Sequence, residues 1–479
     1  MIYIAENGPN VPAGGTVRAA GLLQISRPSP KLELTSTTPE AKGRERTMGI
    51  ESVNYQCPAC GGPLRYDGAK ALLVCDHCDS EFAVTDIEAR YASKQQAAEE
   101  KAQKVSASAS SDASGLDGAY VCSSCGAELV CDASTAVSEC PYCGNPVVAA
   151  DRLAGDFQPQ LVIPFKLDHK AAKQALAKHY EGKILLPKSF AGSNRINEVQ
   201  GVYVPFWLYD TEAAGSAVFE ATRSRTHYEG DDEVIETDRF TVERDGTMSF
   251  TRVPVDGSTK MPDAHMDAIE PYDYEALVPF SVAYMPGFVA NRYDEDAEAC
   301  RDRAQKRVDS SVEQALRASV EGYDTVSCES CDVEKKWADP VYALMPVWML
   351  GTTWEGQQFL FAMNGQTGRL VGDLPVDKKK RALIGLGVFA AFFAACFAAV
   401  NYGGFLAENE EFIQWGFIIL VPLLIMLLVC AVLTAQMRSA IEATEANHYL
   451  DNGSIEITHS HDSFDYTTTE RIHHESKKD

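Results

Sequence analysis

The chain has 479 residues, enough for two to four domains, and a formal charge of -25 at pH 7. Acidity of this degree repels phosphate backbones and argues against a nucleic-acid reader. Its fourteen cysteines stand mostly in metal-type pairs, which fits a reducing compartment.

Residues 1–47 contain Pro, Gly, Ser and Thr without a sustained hydrophobic period, and they lack the apolar core of a signal peptide. They read as a disordered extension or an over-extended reading frame, with Met48 a candidate initiator.

The next segment carries the most specific signal. "CPACGGPLRYDGAKALLVCDHC" spans 57 to 78, and "CSSCGAELVCDASTAVSECPYC" spans 122 to 143, sixty-five residues on. In both, two C-x-x-C pairs are separated by fourteen residues. Two residues between cysteines let both thiolates of a tight turn face one ion, and two such turns complete a tetrahedral shell. One zinc site is therefore expected from Cys57, Cys60, Cys75 and Cys78, and a second from Cys122, Cys125, Cys140 and Cys143. Each is closed, with no position left for water, so both Zn2+ ions are read as structural. Gly61 and Gly126 stand at equivalent places, as do Leu64 and Leu129, and Asp67 and Asp132. This is an internal duplication. His77 is surplus to a complete shell, and Cys131, which aligns with Tyr66, is expected to be a buried thiol. Disulfide or redox chemistry is the competing use of such pairs, but the equal spacing in both copies favours zinc.

Neither ribbon carries a basic stripe. Arg65, Lys70 and Arg90 face seven acids over residues 51 to 90, and Arg152 faces four over 119 to 152. Between the ribbons, residues 86–118 read as a helical segment and then a Ser/Ala-rich flexible linker, so the two ribbons (48–85 and 119–150) need not touch.

Residues 158–377 mix strand and helix signals. "LVIPFKLD" reads as a strand ending in an Asp cap, and "HKAAKQALAKHYEG" as an amphipathic helix stopped by Gly182. "GVYVPFWLYD" is a β-rich aromatic run, and "YALMPVWMLGTTWEGQQFLFAMNGQTGRLVGDLP" reads as paired strands with a hairpin loop at "NGQTG". Pro205 to Trp207 and Pro346 to Trp348 repeat a Pro-x-Trp phrase, a weaker second duplication. Asp294 to Glu321 is a charged, periodic helix. "RSRTHY" at 223 to 228 is expected to pair with the following "EGDDE" across a hairpin. His169, His179, His227 and His265 have no paired nucleophile or metal spacing and read as structural or surface residues. Cys328 and Cys331 form a fifth pair without a second pair nearby, and read as loop cysteines. Neither a phosphate-cradling loop nor a hydrolase constellation is found, so no catalytic and no cofactor-binding residue is assigned.

Two apolar stretches follow, from Ala382 and from Phe412, each close to the twenty residues needed to cross about 30 Å of hydrocarbon. They predict a transmembrane hairpin over 382–435. Lys378, Lys379, Lys380 and Arg381 precede it, Arg438 follows it, and Glu408, Glu410 and Glu411 lie between, so both termini and the main domains are expected on the cytoplasmic side of a two-pass cell-membrane protein. Residues 436–479 read as a solvated cytoplasmic tail, although His459, His461, His473 and His474 give it weak capacity for metal.

The fold class is thus multidomain: two small four-cysteine zinc ribbons, an α+β middle domain with antiparallel sheets, and a C-terminal two-helix transmembrane hairpin. The order of ribbons, "IPFKLD", "LLPKSF", "GVYVPFWLYD", "MPVWML", "NGQTGRLVGDLP" and hairpin resembles a bacterial family of uncharacterised membrane-anchored zinc-ribbon proteins. Members are labelled as containing a transcription-factor-IIB-type zinc ribbon or as similar to the primosomal replication-restart helicase. The resemblance covers roughly residues 48 to 440 and implies zinc ligation by the eight ribbon cysteines, with no catalytic residue. A helicase would need a Walker phosphate loop and motor domains, which the sequence lacks.

The leading functional expectation is a non-enzymatic, membrane-anchored scaffold or adaptor. Its paired ribbons would recognise a cytoplasmic protein partner, two modules raising effective concentration. A homo-oligomer is compatible with it. The alternatives are a nucleic-acid-binding ribbon protein linked to replication or transcription, and an enzyme with a site in the middle domain.

Overall fold

A computed structural model describes residues 50–51, 55–92, 119–121, 128–130, 134–139, 146–148, 153, 157–193, 199–230, 232–402 and 411–473. Among them the architecture is one four-cysteine cluster near the N-terminus, a mixed α/β sheet domain, and two long apolar helices near the C-terminus.

The sheet domain begins with helix α1, His169–Tyr180. The Asp168 carboxylate accepts the Ala171 amide at 2.7 Å as its cap. Gly182, at φ +73°, turns the chain just after it, as the sequence predicts. Strand β1, Gln200–Glu229, is 30 residues long and forms a hairpin with β2, Asp232–Asp256. Helix α2, Ala297–Ala318, crosses the hairpin. Strand β3, Thr325–Trp337, and strand β4, Val341–Trp354, follow.

Strand β1 belongs to two sub-sheets. Its first part, Gln200 to Leu208, pairs with β4, and its second, Thr211 to Thr222, pairs with β3. The register shift between Tyr209 and Thr211 allows the bend. There the Asp210 carboxylate accepts the Arg252 amide at 2.6 Å. The two Pro-x-Trp phrases lie on adjacent strands, with Tyr203 opposite Pro346 and Pro205 opposite Leu344.

Antiparallel pairs dominate, but the twelve-stranded sheet also holds parallel contacts, β1 with Val289–Asn291 and β4 with Leu161–Val162. The expectation of purely antiparallel sheets is corrected to a mixed sheet. The β1–β2 hairpin followed by the 257–288 segment brings Val289–Asn291 back parallel to β1, and Leu161–Val162 runs parallel to β4, a strand far from it in sequence.

Helix α2 carries Cys300, Ala304, Val308, Val312 and Leu316 on one face, and they pack on Tyr209, Ala213, Ala217 and Phe219 of β1 and Val242, Met248 and Phe250 of β2. The small residues of β1 let the helix approach. A Cβ at Gly215 would stand 2.4 Å from Val312 Cγ1. Asp296 caps the helix by accepting the Ala299 amide at 2.9 Å.

The apolar helices are α3, Lys378–Tyr402, and α4, Glu411–Ala435. Both are long and apolar enough to cross a membrane. Their side chains face outward, with Leu383 72% and Leu424 64% exposed. Gly385 brings the two helices together, since a Cβ there would lie 3.1 Å from Cys430 Sγ.

The roots of the pair are bound to the sheet domain. Leu374 donates to the Met437 carbonyl at 2.8 Å, Gly372 to Ser439 Oγ at 2.8 Å, and Lys380 Nζ to the Leu186 carbonyl at 2.9 Å. The chain enters α3 and leaves α4 at the same end, then re-enters the fold. Residues 443 to 449 lie along α2, and strand β5, Glu456–His473, pairs with β2. The tail is solvent-exposed over 456–473, as expected, but it is a strand paired on β2 rather than a free segment. Strand β5 pairs with β2 from Glu456 to His473 with two register shifts, and Asp462 accepts bonds from Arg244 at 2.5 Å and Tyr323 at 2.8 Å.

Beneath the returning segment lies a buried ionic network. Arg307 donates to Glu270 Oε2 at 2.6 Å and to the Glu445 carbonyl at 3.2 Å, and Tyr449 donates to Glu270 Oε2 at 2.7 Å. Arg303 spans Asp256 at 3.0 Å and Asp267 at 3.1 Å. Burial pushes Asp256 up to about 7 and Glu270 up to about 6.

Candidate metal centre

The four-cysteine cluster grows from a hairpin of Leu64–Asp67 and Leu72–Cys75, with Glu81–Phe82 as a third strand. Cys57 and Cys60 stand on the turn before it, Cys75 ends its second strand, and Cys78 lies on the turn after. Gly61, at φ +76°, lets the first turn close, with its amide on the Cys57 carbonyl at 2.8 Å. Backbone amides point at sulfur: Ala59 N lies 3.4 Å from Cys57 Sγ and Gly62 N 3.4 Å from Cys60 Sγ. Cys57 and Cys75 are buried, while Cys60 and Cys78 are exposed.

The donor set fits a metal. The Cys57–Cys78 sulfurs are 3.6 Å apart, the Cys60–Cys75 sulfurs 3.5 Å, and all four lie within 4.8 Å of one another. Zinc at about 2.3 Å from each of four tetrahedral thiolates sets sulfurs about 3.8 Å apart. Charge points the same way. The Ser80 hydroxyl and amide bring Cys78 down to about 6, whereas Cys60, although the Gly62 amide favours its thiolate, is pushed up to about 12 with the Cys78 and Cys75 sulfurs beside it. Four adjacent sulfurs resist sharing negative charge unless a cation stands among them. His77 takes no place in the cluster.

The hairpin is not a free module. Tyr66 donates its amide to the Pro286 carbonyl at 3.0 Å and meets the Tyr284 ring edge-on at 5.3 Å. Tyr55, Leu64, Tyr66, Leu73 and Ile87 share one core with Phe165, Tyr203, Met285 and Phe288 of the sheet domain. Gly68 rides directly on the Phe165 carbonyl, where a Cβ would stand 2.0 Å from the oxygen. A ribbon of this size cannot bury enough apolar surface alone. Here it borrows the aromatic face of its neighbour.

Cys122, Cys125, Cys140 and Cys143 lie outside the described residues, so a single four-cysteine cluster is seen among those described. The flanking strands are placed, however. Residues 50–51 pair in parallel with 120–121, and Ala290 and Asn291 of the sheet domain pair with Val137 and Thr135. Short strands on both sides of the linker find backbone partners in one another and in the large sheet, so flanks of the two repeats meet although the linker does not require it.

A groove of about 590 Å³ runs along the seam between the cluster and the sheet domain. Arg65, Asp67, His169, Lys170, Phe288 and Trp348 line it. The sequence gives no signal for this groove, since its walls come from five distant segments.

Other sequence candidates resolve as structure. His169 Nε2 lies 3.0 Å from the Val199 carbonyl, His179 Nε2 3.1 Å from that of Gly372, and His265 Nε2 3.0 Å from that of Leu360. His227 stands 3.5 Å from Glu229, while Arg225 reaches past the expected acidic run to Asp238 at 2.8 Å. Cys328 and Cys331 lie on β3, which corrects the loop expectation. A register shift next to Glu329 turns both toward the α2 core, and burial pushes Cys331 up to about 11.

Over 248 residues the chain is 35% identical to the uncharacterized protein YdjG of Bacillus subtilis (strain 168), spanning 52% of this chain and 73% of that protein. The chain belongs to the same family as YdjG. No family model matches it, and no solved structure matches it.

Proposed function

We propose that this protein is a two-pass membrane adaptor whose zinc-stapled cysteine ribbons, docked on the sheet domain, present a surface to a cytoplasmic protein partner. The observation that carries the reading is the return of the chain from the apolar helices into the sheet through β5. A domain closed on itself around a helix pair is fixed against the bilayer at two points, so whatever it binds is held at the membrane surface. Lys378, Lys379, Lys380, Arg381 and Arg438 lie at the domain end of the helices, and Glu408, Glu410 and Glu411 fall in the sequence between the two apolar stretches. That asymmetry supports a cytoplasmic position for the domain.

A four-thiolate shell offers no open position for substrate, so its zinc serves the fold. The duplicated spacing supports a second ion at Cys122, Cys125, Cys140 and Cys143. The resemblance to membrane-anchored zinc-ribbon proteins agrees with this reading, and the acidic chain disfavours the helicase-like label. The seam groove, with Arg65 and Lys170 at its rim and Trp348 within, is the surface offered to the partner.

Lysine-directed crosslinking followed by mass spectrometry in native membranes tests the proposal. Crosslinks from Lys70 and Lys170 to one protein are expected, with those from Lys70, whose amine is kept, lost in a Lys170→Glu, Arg65→Glu variant. Salt-sensitive retention of nucleic acid in place of such a protein overturns it in favour of the nucleic-acid reading.

A further inference from the structure

The outer face of the long hairpin carries a second arrangement of metal-ligating groups. Strand β5 is anchored through Asp462 to Arg244 and Tyr323 on the α2 side of the sheet. Successive side chains alternate faces, so His459 and His461 project away from that side together. Directly opposite them on β2 stand Asp245 and Glu243, respectively. Cross-strand partners share a face, and the four side chains form a two-by-two array.

The His459 and His461 rings are stacked with centroids 6.4 Å apart at 29°, and His459 Nε2 lies 3.9 Å from Glu243 Oε2. The rows continue across the sheet, Asp245 meeting Ser216 and then Asp332, and Glu243 meeting Val218 and then Ser330. The cations nearest in sequence are directed elsewhere: Arg244 to Asp462, and Arg239 to Glu220.

We infer that His459, His461 and Glu243 form a surface site for a divalent late transition-metal ion, with Asp245 as a fourth ligand or an outer carboxylate. Two imidazoles two residues apart on a strand, with a carboxylate from the neighbouring strand, place three donor groups on one face, a set suited to zinc or nickel once His461 turns toward the His459–Glu243 pair. Metal–nitrogen bonds of about 2.0–2.1 Å require the His459 and Glu243 ligand atoms to draw closer than their 3.9 Å and the His461 ring, whose centroid stands 6.4 Å from that of His459, to swing toward them; among the described residues only the four cysteines already have their donor atoms gathered. Both side chains are about half exposed, 53% and 49%, and free to make that adjustment. The bound ion would clamp the returning strand to the hairpin, joining the segment after the membrane helices to the sheet domain.

The test uses the full chain in detergent, first loaded with zinc and then dialysed against Ni2+, with both metals counted per polypeptide by elemental analysis. Nickel uptake with zinc retained is expected for the wild type. His459→Gln with His461→Gln should weaken nickel binding at least about tenfold, as should Glu243→Gln from the other strand. Cys57→Ser should lower zinc without changing nickel uptake, and His473→Gln with His474→Gln should leave nickel affinity unchanged. If the histidine double variant loosens β5, Glu243→Gln decides the matter alone. Nickel taken up only as zinc is lost, or equal affinity in wild type and Glu243→Gln, overturns the site.

Discussion

The cysteine hairpin and the long β1–β2 hairpin with α2 hold their shape by opposite means. The first has two four-residue strands and closes its turns around four sulfurs. The second spreads a 30-residue and a 25-residue strand over an apolar helix face, with a buried ionic network beside it. Small elements depend on a metal and on a neighbour's aromatic surface, whereas large ones generate their own core. The contrast also places the sensitivities: the first region should fail with its ion, the second with its packing and buried charge.

Removing the ion should have the largest effect. Cys75→Ser, or a strong chelator, should cost the ribbon on the order of 10 kcal/mol, read as proteolysis between residues 55 and 92 while the long hairpin remains protected. Simultaneous collapse of both regions would erase the distinction. In the second region, Arg307→Met leaves Glu270 buried beside Tyr449 without its cation, and about 3–5 kcal/mol of stability should be lost in denaturant unfolding.

The same network gives a pH signature. Asp256 is fully buried, and burial raises its folded-state value to about 7, so the folded chain holds a proton that the unfolded chain releases near pH 4. Stability from this group is therefore present at low pH and declines as pH rises through 7. Between pH 5 and 8 the decline should be roughly 2–3 kcal/mol, and Asp256→Asn should flatten it in thermal melts.

Gly68→Ala forces a methyl onto the Phe165 carbonyl and should cost about 1–3 kcal/mol, seen as loss of the ribbon's protection with the cluster's metal content unchanged. The smallest effect belongs to Arg65→Ala. Its pair with Asp76 spans 3.4 Å with both side chains about half exposed, so less than about 1 kcal/mol is expected in the same melts.

Several parts of this fold were legible in the sequence because the signal is local. The C-x-x-C spacing identifies the Cys57 cluster, since ligand geometry is set within each turn. Helix α2 follows from its charged periodic pattern over Asp294 to Glu321, although its Asp296 cap emerged only in the structure, and α3 and α4 follow from uninterrupted apolar length. Strand β1 was only partly legible. Its second half, "TEAAGSAVFEA", is rich in Ala and Gly rather than β-branched residues, and it is a strand because those small side chains admit α2. The tail's exposure was legible, but its strand was not, for a related reason. "EITHSHDSFDYTTTERIH" carries no apolar face of its own, and its strand conformation comes from the open edge of β2.

The sequence by itself determined which sulfurs can share an ion, where the apolar helices run and how strongly acidic the chain is, because each depends on neighbours within one or two turns. Tertiary structure alone decided that the first ribbon sits on the Phe165 aromatic face, that the chain re-enters its own sheet after the helices, and that His459 and His461 stand opposite Asp245 and Glu243. Those placements depend on register and on surfaces built from segments up to hundreds of residues apart, which no local pattern encodes.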